Sequence, residues 1–430
     1  MARFEVPIKF NKFPKWSPLT DPPVLSYSVS EYISDSASNP QPVLRGRLIA
    51  KPDIDLNAYH CKAVFDWIEI RLQTLATHQA MNIARYCNKH LGALGSRSKV
   101  YVSGLDRKGG FMGSDFIVRV QQPEKSEFFA LLEVLVAKYK TGHASIKELQ
   151  IMGLEVSVDF WVRGTAKFSA DKTNLLRWQM TEVLRRHLKR GPELTEKENC
   201  FPRFYSDQGS KGSATFMLDS SLAKLTGTQI KKVAELGVET SVLVPFRLGA
   251  HQQCPIDTTN YIGAKDFCYQ IRVMDKITDN RDPEKGTFDK LPLNECRSRM
   301  ELTAIETPND WNGPAGLDIA TLSDLTAADL KVIRKPFFEF FLPTFNAVDE
   351  LSDMPFKTNV TEHQVFERSG VYGLDRLHRS VETVGQACYK QKKVSDKPPR
   401  LGRKGRLVSY VDLNRMIDRA LTKLSRDWRK

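Results

Sequence analysis

Hydrophobic and polar positions alternate most regularly in KAVFDWIEIRLQT. There Val64, Ile68, Ile70 and Leu72 fall on one face, and Trp67, Glu69, Arg71 and Gln73 on the other, the period of a half-buried strand. The period then changes. From Thr77 to Leu91, the residues Ala80, Ile83, Ala84, Cys87 and Leu91 recur at helical spacing, and Gly92 supplies a stop. SRSKVYVSGL and SDFIVRVQQ read as two strands around the Gly-rich turn LDRKGGFMG. Ser126 is placed to cap the apolar helix EFFALLEVLVAKYK, with Gly142 at its end. GLEVSVDFWVRG is a fourth strand, and the helix DKTNLLRWQMTEVLRRHLKRG follows it. The order strand, helix, strand, strand, helix, strand predicts an α+β fold of the ferredoxin-like, split βαβ kind. In that fold the helices cover one face of an antiparallel sheet and leave the other free for a ligand.

The flanks are less regular. Residues 1–60 carry few helical signals, and DPPVLSYSVSEYISDSASNPQPV reads as an extended N-terminal arm. A lysine-rich helical stretch near residues 220–236 precedes three further strands, TTNYIG, FCYQIRVMDK and CRSRMELTAIE, and TPNDWNGPAG marks a boundary after them. A helix begins near SDLTAADLKVI, and Pro336 must end or kink it. The segment KQKKVSDKPPRLGRKGRL is a basic linker. It leads to a last helix with Leu413, Met416, Ile417, Ala420, Leu421, Leu424 and Trp428 on one face, an apolar stripe that packs on the body or on a second subunit. The predicted division is an arm at 1–60, a core domain at 61–345 and a basic helical region at 346–430.

Charge sharpens this picture. The chain of 430 residues has a net charge of +13, and its last 41 residues hold 14 Lys/Arg against four Asp. A charge so concentrated favours a nucleic-acid contact over a generally basic surface. The seven cysteines stand singly with no C-x-x-C pair, which argues against a disulfide framework and a cysteine zinc site. The N-terminal MARFEVPIKFNKFPKW lacks an apolar h-region, and no window approaches a membrane span, so the expectation is a cytoplasmic protein without membrane contact. There is no G-x-x-x-x-G-K-[ST] and no G-x-S-x-G, and the eight histidines are dispersed.

Dividing each strand into its two faces exposes candidate chemistry. Leu154, Val156, Val158 and Phe160 oppose Glu155, Ser157 and Asp159; Met300, Leu302 and Ala304 oppose Arg299, Glu301 and Thr303. Tyr269, Ile271 and Val273 oppose Gln270, Arg272, Met274 and Lys276, and Ile262 opposes Tyr261. If these strands are sheet neighbours, one polar face gathers the carboxylates, the basic residues and Tyr261, with Glu69 and Arg119 joining them. Carboxylates on a rigid face suit a hard cation such as Mg²⁺ or Mn²⁺, arginines suit phosphate oxygens, and a tyrosine can attack phosphorus. The same alternation also describes a solvated face of weak ion pairs, and by alternation Asp66 lies on the apolar side, where it only terminates a strand.

The run TTNYIGAKDFCYQIRVMDK with RSRMELTAIE resembles the replication initiation factor family of rolling-circle plasmids, which includes relaxases of some integrative conjugative elements. That family reads T-x-Y-x-G-S-R-x-S, then R-x-Y-[DE]-K, then R-x-E, after an R-[IL]-D-[LI]-A-x-D-D strand and a D-W-[LIV] strand. The matching positions here are Tyr261 with Gly263, Arg272 with Lys276, Arg299 with Glu301, then Glu155 with Asp159, and Asp66 with Trp67, in order over roughly 60–345. The chain departs where Gly153 replaces arginine, Glu155 aspartate, Met274 the second tyrosine, and Ala264-Lys265 Ser-Arg. The resemblance implies a catalytic nicking domain at 61–345, with Tyr261 as nucleophile and Glu155, Asp159 and Glu301 as ligands of Mg²⁺ or Mn²⁺. Arg272, Lys276 and Arg299, with Arg403, Lys404 and Arg406 of the basic region, would contact phosphates. It also implies origin duplex and single-stranded DNA as substrates, a host helicase, and a homodimer. Two rivals stand beside it: a non-catalytic DNA- or RNA-binding protein using the open sheet, and a packaging protein whose basic tail holds DNA.

Overall fold

The apolar halves of the alternating strands have to be buried together, and in the structure, a computed structural model, they share one sheet. Residues 2–10, 23–33, 44–142, 145–190, 254–263, 268–282, 287–306, 313–314, 317–346, 361–390 and 406–429 are described, with short strands at 203–206, 215–217, 242–244 and 356–358. In the first half these are β1 (Ala2–Pro7), β2 (Val24–Glu31), β3 (Arg47–Pro52), β4 (Tyr59–Gln79), β5 (Lys99–Ser103), β6 (Met112–Gln121), β7 (Ile151–Val162), β8 (Arg203–Ser206) and β9 (Thr215–Met217). Then come β10 (Val242–Val244), β11 (Thr258–Ile262), β12 (Tyr269–Lys276), β13 (Thr278–Asp282), β14 (Thr287–Lys290), β15 (Arg297–Ile305), β16 (Phe341–Asn346), β17 (Phe356–Thr358) and β18 (Leu407–Ser409). Nine of them form one antiparallel sheet in the order β5-β6-β4-β7-β15-β12-β11-β8-β9. The molecule is thus a mixed α+β protein built on antiparallel sheets.

The first half of that sheet is the run β4, α1 (Ala80–Ala93), β5, β6, α2 (Lys125–Tyr139), β7, and its spatial order is β5-β6-β4-β7. Ile68, Ile70, Leu72, Val118, Val120, Leu154, Val156, Val158 and Phe160 are all fully buried and meet Ile83 and Cys87 of α1 and Leu131 and Leu135 of α2 in one core. Helix boundaries differ from the sequence reading. Thr77 to Gln79 still belong to β4, so α1 starts at Ala80. Helix α2 starts at Lys125 after Glu124, whose carbonyl accepts the Phe128 N–H at 2.8 Å, so Ser126 is inside the helix and caps nothing. Its last turn closes on Lys140 in the left-handed region (φ 47°), two residues before Gly142.

Pairing of β7 with β15, from Ser298 opposite Phe160 to Ile305 opposite Gly153, joins this half to the strands β12 and β11. Helix α3 (Ala170–His187) fastens that junction from the apolar side. The buried Arg185 donates to the Pro255 carbonyl at 2.6 Å, the Val273 carbonyl at 3.2 Å and the Thr258 carbonyl, and Arg177 Nε donates to Asp275 Oδ1 at 2.5 Å. Buried guanidinium groups spent on backbone carbonyls hold strands rigidly, because losing any bond leaves an unsatisfied buried group.

A second antiparallel sheet has the order β1-β2-β3-β16-β18. The stretch read as an extended arm therefore contributes strands to a sheet shared with residues 341–346 and 407–409. His187, at the end of α3, links the two sheets: its ring bonds the Tyr27 hydroxyl at 2.9 Å and the Phe341 carbonyl at 2.7 Å, and burial depresses its pKa to about 3, so it is neutral. After β17 comes α4 (Glu362–Lys390), bent at Gly370, whose φ of +67° no helix interior adopts. A Cβ there would lie 2.4 Å from the Arg186 carbonyl oxygen, so the close approach of α3 requires glycine. The predicted helix near 322–333 is three short pieces: Leu322–Ala327, capped by Thr321 and Asp324, a 3₁₀ turn at Leu330–Ile333, and Arg334–Phe337, which carries Pro336 in its first turn where the missing N–H costs nothing. The last helix, α5 (Val411–Trp428), buries Leu413, Ile417, Leu421 and Leu424 against the body, and Trp428 meets Phe65 edge-on at 4.8 Å. The lysine-rich stretch at 220–236 and the linker at 391–405 lie outside the described residues.

Candidate functional site

Cross-strand register fixes which polar side chains become neighbours. Tyr261 on β11 stands opposite Arg272 on β12, Arg272 opposite Glu301 on β15, and Glu301 opposite Ser157 on β7. One step along, Thr303 faces Glu155; one step the other way, Arg299 faces Asp159. With strands about 4.8 Å apart, this row carries the candidate nucleophile roughly 10 Å from the carboxylates at the level of the backbone. The row floors a cleft of about 800 Å³ that is also lined by Asp66, Lys99, Tyr101, Arg119 and Lys276.

Asp66 is the residue that alternation misassigns. In β4, Phe65 pairs with Val156 and Trp67 with Glu155, so Asp66 is the extra residue of a β-bulge. A bulge puts two consecutive residues on the same side of a strand. Asp66 therefore joins Trp67 on the polar face, while Ala63 and Phe65 before it and Ile68 after it keep the core side. Its carboxylate accepts the Ser157 hydroxyl at 2.9 Å and Arg299 Nη1 at 2.6 Å.

Asp66, Glu155 and Glu301 each offer an oxygen within 4.8 Å of the other two, and Glu155 and Glu301 are buried. Arg272 bridges the two glutamates. Its Nη2 donates to Glu155 Oε2 at 2.5 Å, which also accepts the Thr303 hydroxyl at 2.5 Å, and its Nε lies 2.6 Å from Glu301 Oε2. That last contact is an ion pair off the N–H axis, and Glu301 Oε2 is left without an aligned hydrogen bond. Three carboxylate oxygens within 4.8 Å of one another, two of them from buried glutamates, are a donor set that fits a hard divalent cation. Burial, reinforced by the Glu155 and Asp66 charges and only partly offset by Arg272, pushes Glu301 up to about 8. Burial also works to raise Asp66, but Arg299, the Ser157 hydroxyl and a hydrogen bond from Glu301 outweigh it and bring Asp66 below its usual value. Burial works to lower both guanidinium groups, but Glu301 and Glu155 hold Arg272, and Asp159 and Asp66 hold Arg299, above the usual arginine value.

The other predicted residues fall into place unevenly. Asp159 lies on the polar face but belongs to a different unit: it is 1% exposed and takes Arg299 bidentately, Nε to Oδ1 at 2.5 Å and Nη2 to Oδ2 at 2.6 Å. Arg297 Nε adds a third contact at 3.2 Å. Lys276 lines the cleft and pairs with Asp279 at 3.1 Å. Glu69 and Arg119 do meet, at 2.6 and 2.9 Å, with Arg107 on the second Glu69 oxygen and the Arg119 guanidinium 4.3 Å over the Trp67 ring. Gly153 sits beside them, where a Cβ would come within 2.8 Å of Glu69 Oε2. Arg406 turns inward, with Nη1 3.9 Å from the buried Glu362 that also holds Arg47 and His378. Arg403 and Lys404 lie outside the described residues. The polar face is also less open than expected. Glu155, Ser157, Asp159, Arg299 and Glu301 are all at most 5% exposed, an ion-paired layer rather than a solvated one.

No family model matches the chain, and no curated protein does. Among solved structures it is similar to a rolling circle replication initiator protein from Geobacillus stearothermophilus, at 13% identity over 77% of this chain and 97% of that one, with a TM-score of 0.25. Agreement at that level fixes no residue correspondence. Among the described residues, no helix is long and apolar enough to cross a membrane.

Proposed function

We propose that the chain is a metal-dependent DNA-nicking protein of the rolling-circle initiator or relaxase kind, with Tyr261 as nucleophile. The observation that carries this reading is the row Tyr261, Arg272, Glu301 across three adjacent strands, with Asp66 and Glu155 beside it. The order β5-β6-β4-β7 for the run β4, α1, β5, β6, α2, β7 supports the reading of the first half as ferredoxin-like.

In this reading Tyr261 attacks the scissile phosphorus. A bond forms from the phenolic oxygen to phosphorus, the bond to the 3′ oxygen breaks, and the phenol's proton ends on the released 3′ hydroxyl. The 5′ phosphate stays on the tyrosine, so the step is an exchange of esters without water. Asp66, Glu155 and Glu301 would hold Mg²⁺ or Mn²⁺, which supplies polarisation of the phosphate when bound. Arg272 has two places to be. Between Glu155 and Glu301 it occupies the charge that a metal ion would supply, and beside Tyr261 it can grip a phosphate oxygen. The rim residues Lys99, Tyr101 and Arg119 offer cations and an exposed aromatic ring to a single strand running across the cleft.

The test is a nicking assay on supercoiled plasmid carrying the chain's own gene with its flanks, in Mn²⁺, with Tyr261→Phe in parallel. Relaxed product bearing protein on the 5′ end, lost in the variant, is the expected result. Unchanged nicking in the variant would overturn the assignment of Tyr261. DNA binding without nicking by either protein would favour the reading of the cleft as a binding surface alone.

A further inference from the structure

The outer face of α5 carries a second concentration of charge, away from the polar face of the large sheet. Its inner stripe is spent on the core, while Arg415, Arg419 and Lys423 point outward at one residue per turn. They form one bank of a groove of about 840 Å³ whose other bank is the segment 51–61 with Lys51 and Arg163. The groove's own acids are few. Asp412 is shared by Lys51 at 3.3 Å and Arg415 at 3.7 Å, all of them more than half exposed, and Asp55 caps the turn at Leu56–Ala58. Among the described residues, no carboxylate lies within ion-pair distance of Arg419 or Lys423. The positive row continues past Lys423 to Arg426 and Lys331, which line an adjoining hollow. His60, at the groove floor, reports the same field: partial burial and then Arg163, Lys423 and Lys62 hold it below its usual pKa.

We infer that the groove between α5 and residues 51–61 is a nucleic-acid site that grips the phosphate backbone without reading sequence, distinct from the cleft that holds Tyr261. From Arg415 to Arg426 the row is about 16 Å long at 1.5 Å per residue. That length spans roughly five successive phosphates of one duplex strand at 3.4 Å each along the axis. An anionic bilayer is the other polyanion such a charge could meet. A helix that binds there needs its apolar face free. In α5 that face is used up, with Trp428 against Phe65 and Phe128 and with Leu413, Ile417 and Leu421 buried. A concave, doubly banked row of cations suits a ridge of phosphates.

The test is fluorescence anisotropy with a labelled random-sequence 30-mer, as duplex and as single strand, in EDTA, using the full chain and the triple variant Arg415→Gln, Arg419→Gln, Lys423→Gln. The three side chains are exposed, and a matching thermal melt verifies that the variant folds. Without metal no nicking occurs, so the result stands apart from the fate of the cleft reading. The expected outcome is a loss of affinity of about tenfold or more at physiological salt. The slope of log K against log salt should also become shallower by about 2.7, three contacts at 0.9 each. The strand form that loses more identifies the backbone held. Unchanged affinity and slope for both forms would overturn the inference. So would a variant that binds both nucleic acids normally but no longer binds phosphatidylserine vesicles, which would assign the groove to lipid.

Discussion

Two aspartates of the polar face carry opposite burdens, and a pair of substitutions separates them. Asp159 is 1% exposed and gives both oxygens to Arg299, itself 5% exposed; Asp159→Asn removes the anion and leaves a buried guanidinium with Asp66 and Glu301 only. Breaking a buried pair from one side costs about 3–5 kcal/mol. A chain of 430 residues unfolds with an entropy of about 0.9 kcal/mol/K, at roughly 2.1 cal/mol/K per residue, so the melting temperature should fall by about 3–6 °C. Asp66→Asn acts at a half-buried carboxylate and costs about 1–2 kcal/mol, a shift of about 1–2 °C. Its effect on metal should be the larger one, because Asp66 and not Asp159 offers an oxygen to Glu155 and Glu301. The assay is a Mn²⁺ titration followed by electron paramagnetic resonance, with a thermal melt of the same samples. Asp66→Asn should weaken Mn²⁺ at least about 100-fold, more than loss of an outer-shell partner does, and Asp159→Asn by much less. An Asp159→Asn protein that melts like wild type and has lost Mn²⁺ would refute this division of labour and return Asp159 to the metal.

Three further outcomes follow from the same geometry. Glu301 has a folded pKa of about 8 against its ordinary 4.5, so its contribution to stability is fully present below 4.5 and is lost as pH rises toward 8. Glu362 works in the other direction: burial raises it, but His378 and Arg47 overcome that and hold it near 2, so its contribution is present above 4.5 and is lost as pH falls toward 2. Melting curves from pH 2 to 9 should therefore lose their alkaline decline in Glu301→Gln and part of their acid decline in Glu362→Gln; identical profiles would reject both assignments. Arg272→Gln should bind Mn²⁺ about tenfold more tightly, a gain of about 1.4 kcal/mol from removing the resident cation, while losing nicking; weaker Mn²⁺ binding would show that the guanidinium builds the site rather than competing for it. Gly370→Ala should lower the melting temperature by several degrees. Its φ of +67° costs a side chain about 1–2 kcal/mol and its Cβ meets the Arg186 carbonyl at 2.4 Å, so an unchanged melt would mean that α3 and α4 are free to part.

Much of the fold is legible in the chain because strand alternation records burial directly. Leu154, Val156, Val158 and Phe160 had to be covered, and each is fully buried. The final helix was equally plain, since its stripe from Leu413 to Trp428 has only one way to face a core. Pairing is a different kind of information. β7 and β15 are neighbours across more than 130 residues of chain, and periodicity carries no label for partners. The strands of residues 1–60 escaped for a related reason. β1 at the sheet edge pairs with β2, β2 with β3, and β3 with β16 from far along the chain, so their places are set by pairing that local pattern does not label.

The geometry of the polar face was half legible, and the differences come from two departures from the sequence reading. Asp66 was assigned to the apolar side because a period of two admits no insertion; the bulge between Phe65 and Trp67 adds one residue and reverses the parity of everything before it. Val64 accordingly changes faces, and Asp66 is delivered to Glu155 and Glu301. The second departure is energetic. A polar face read as open is, at β7 and β15, buried, and charges placed there must neutralise one another. Asp159 takes Arg299 bidentately, Arg299 also reaches Asp66 at 2.6 Å, and Arg272 lies between Glu155 and Glu301. Under the proposed function a divalent cation would take the place of Arg272 between Glu155 and Glu301, while Asp159 would keep Arg299. Which carboxylates share a counter-charge is therefore a property of three-dimensional pairing that no spacing along the chain encodes.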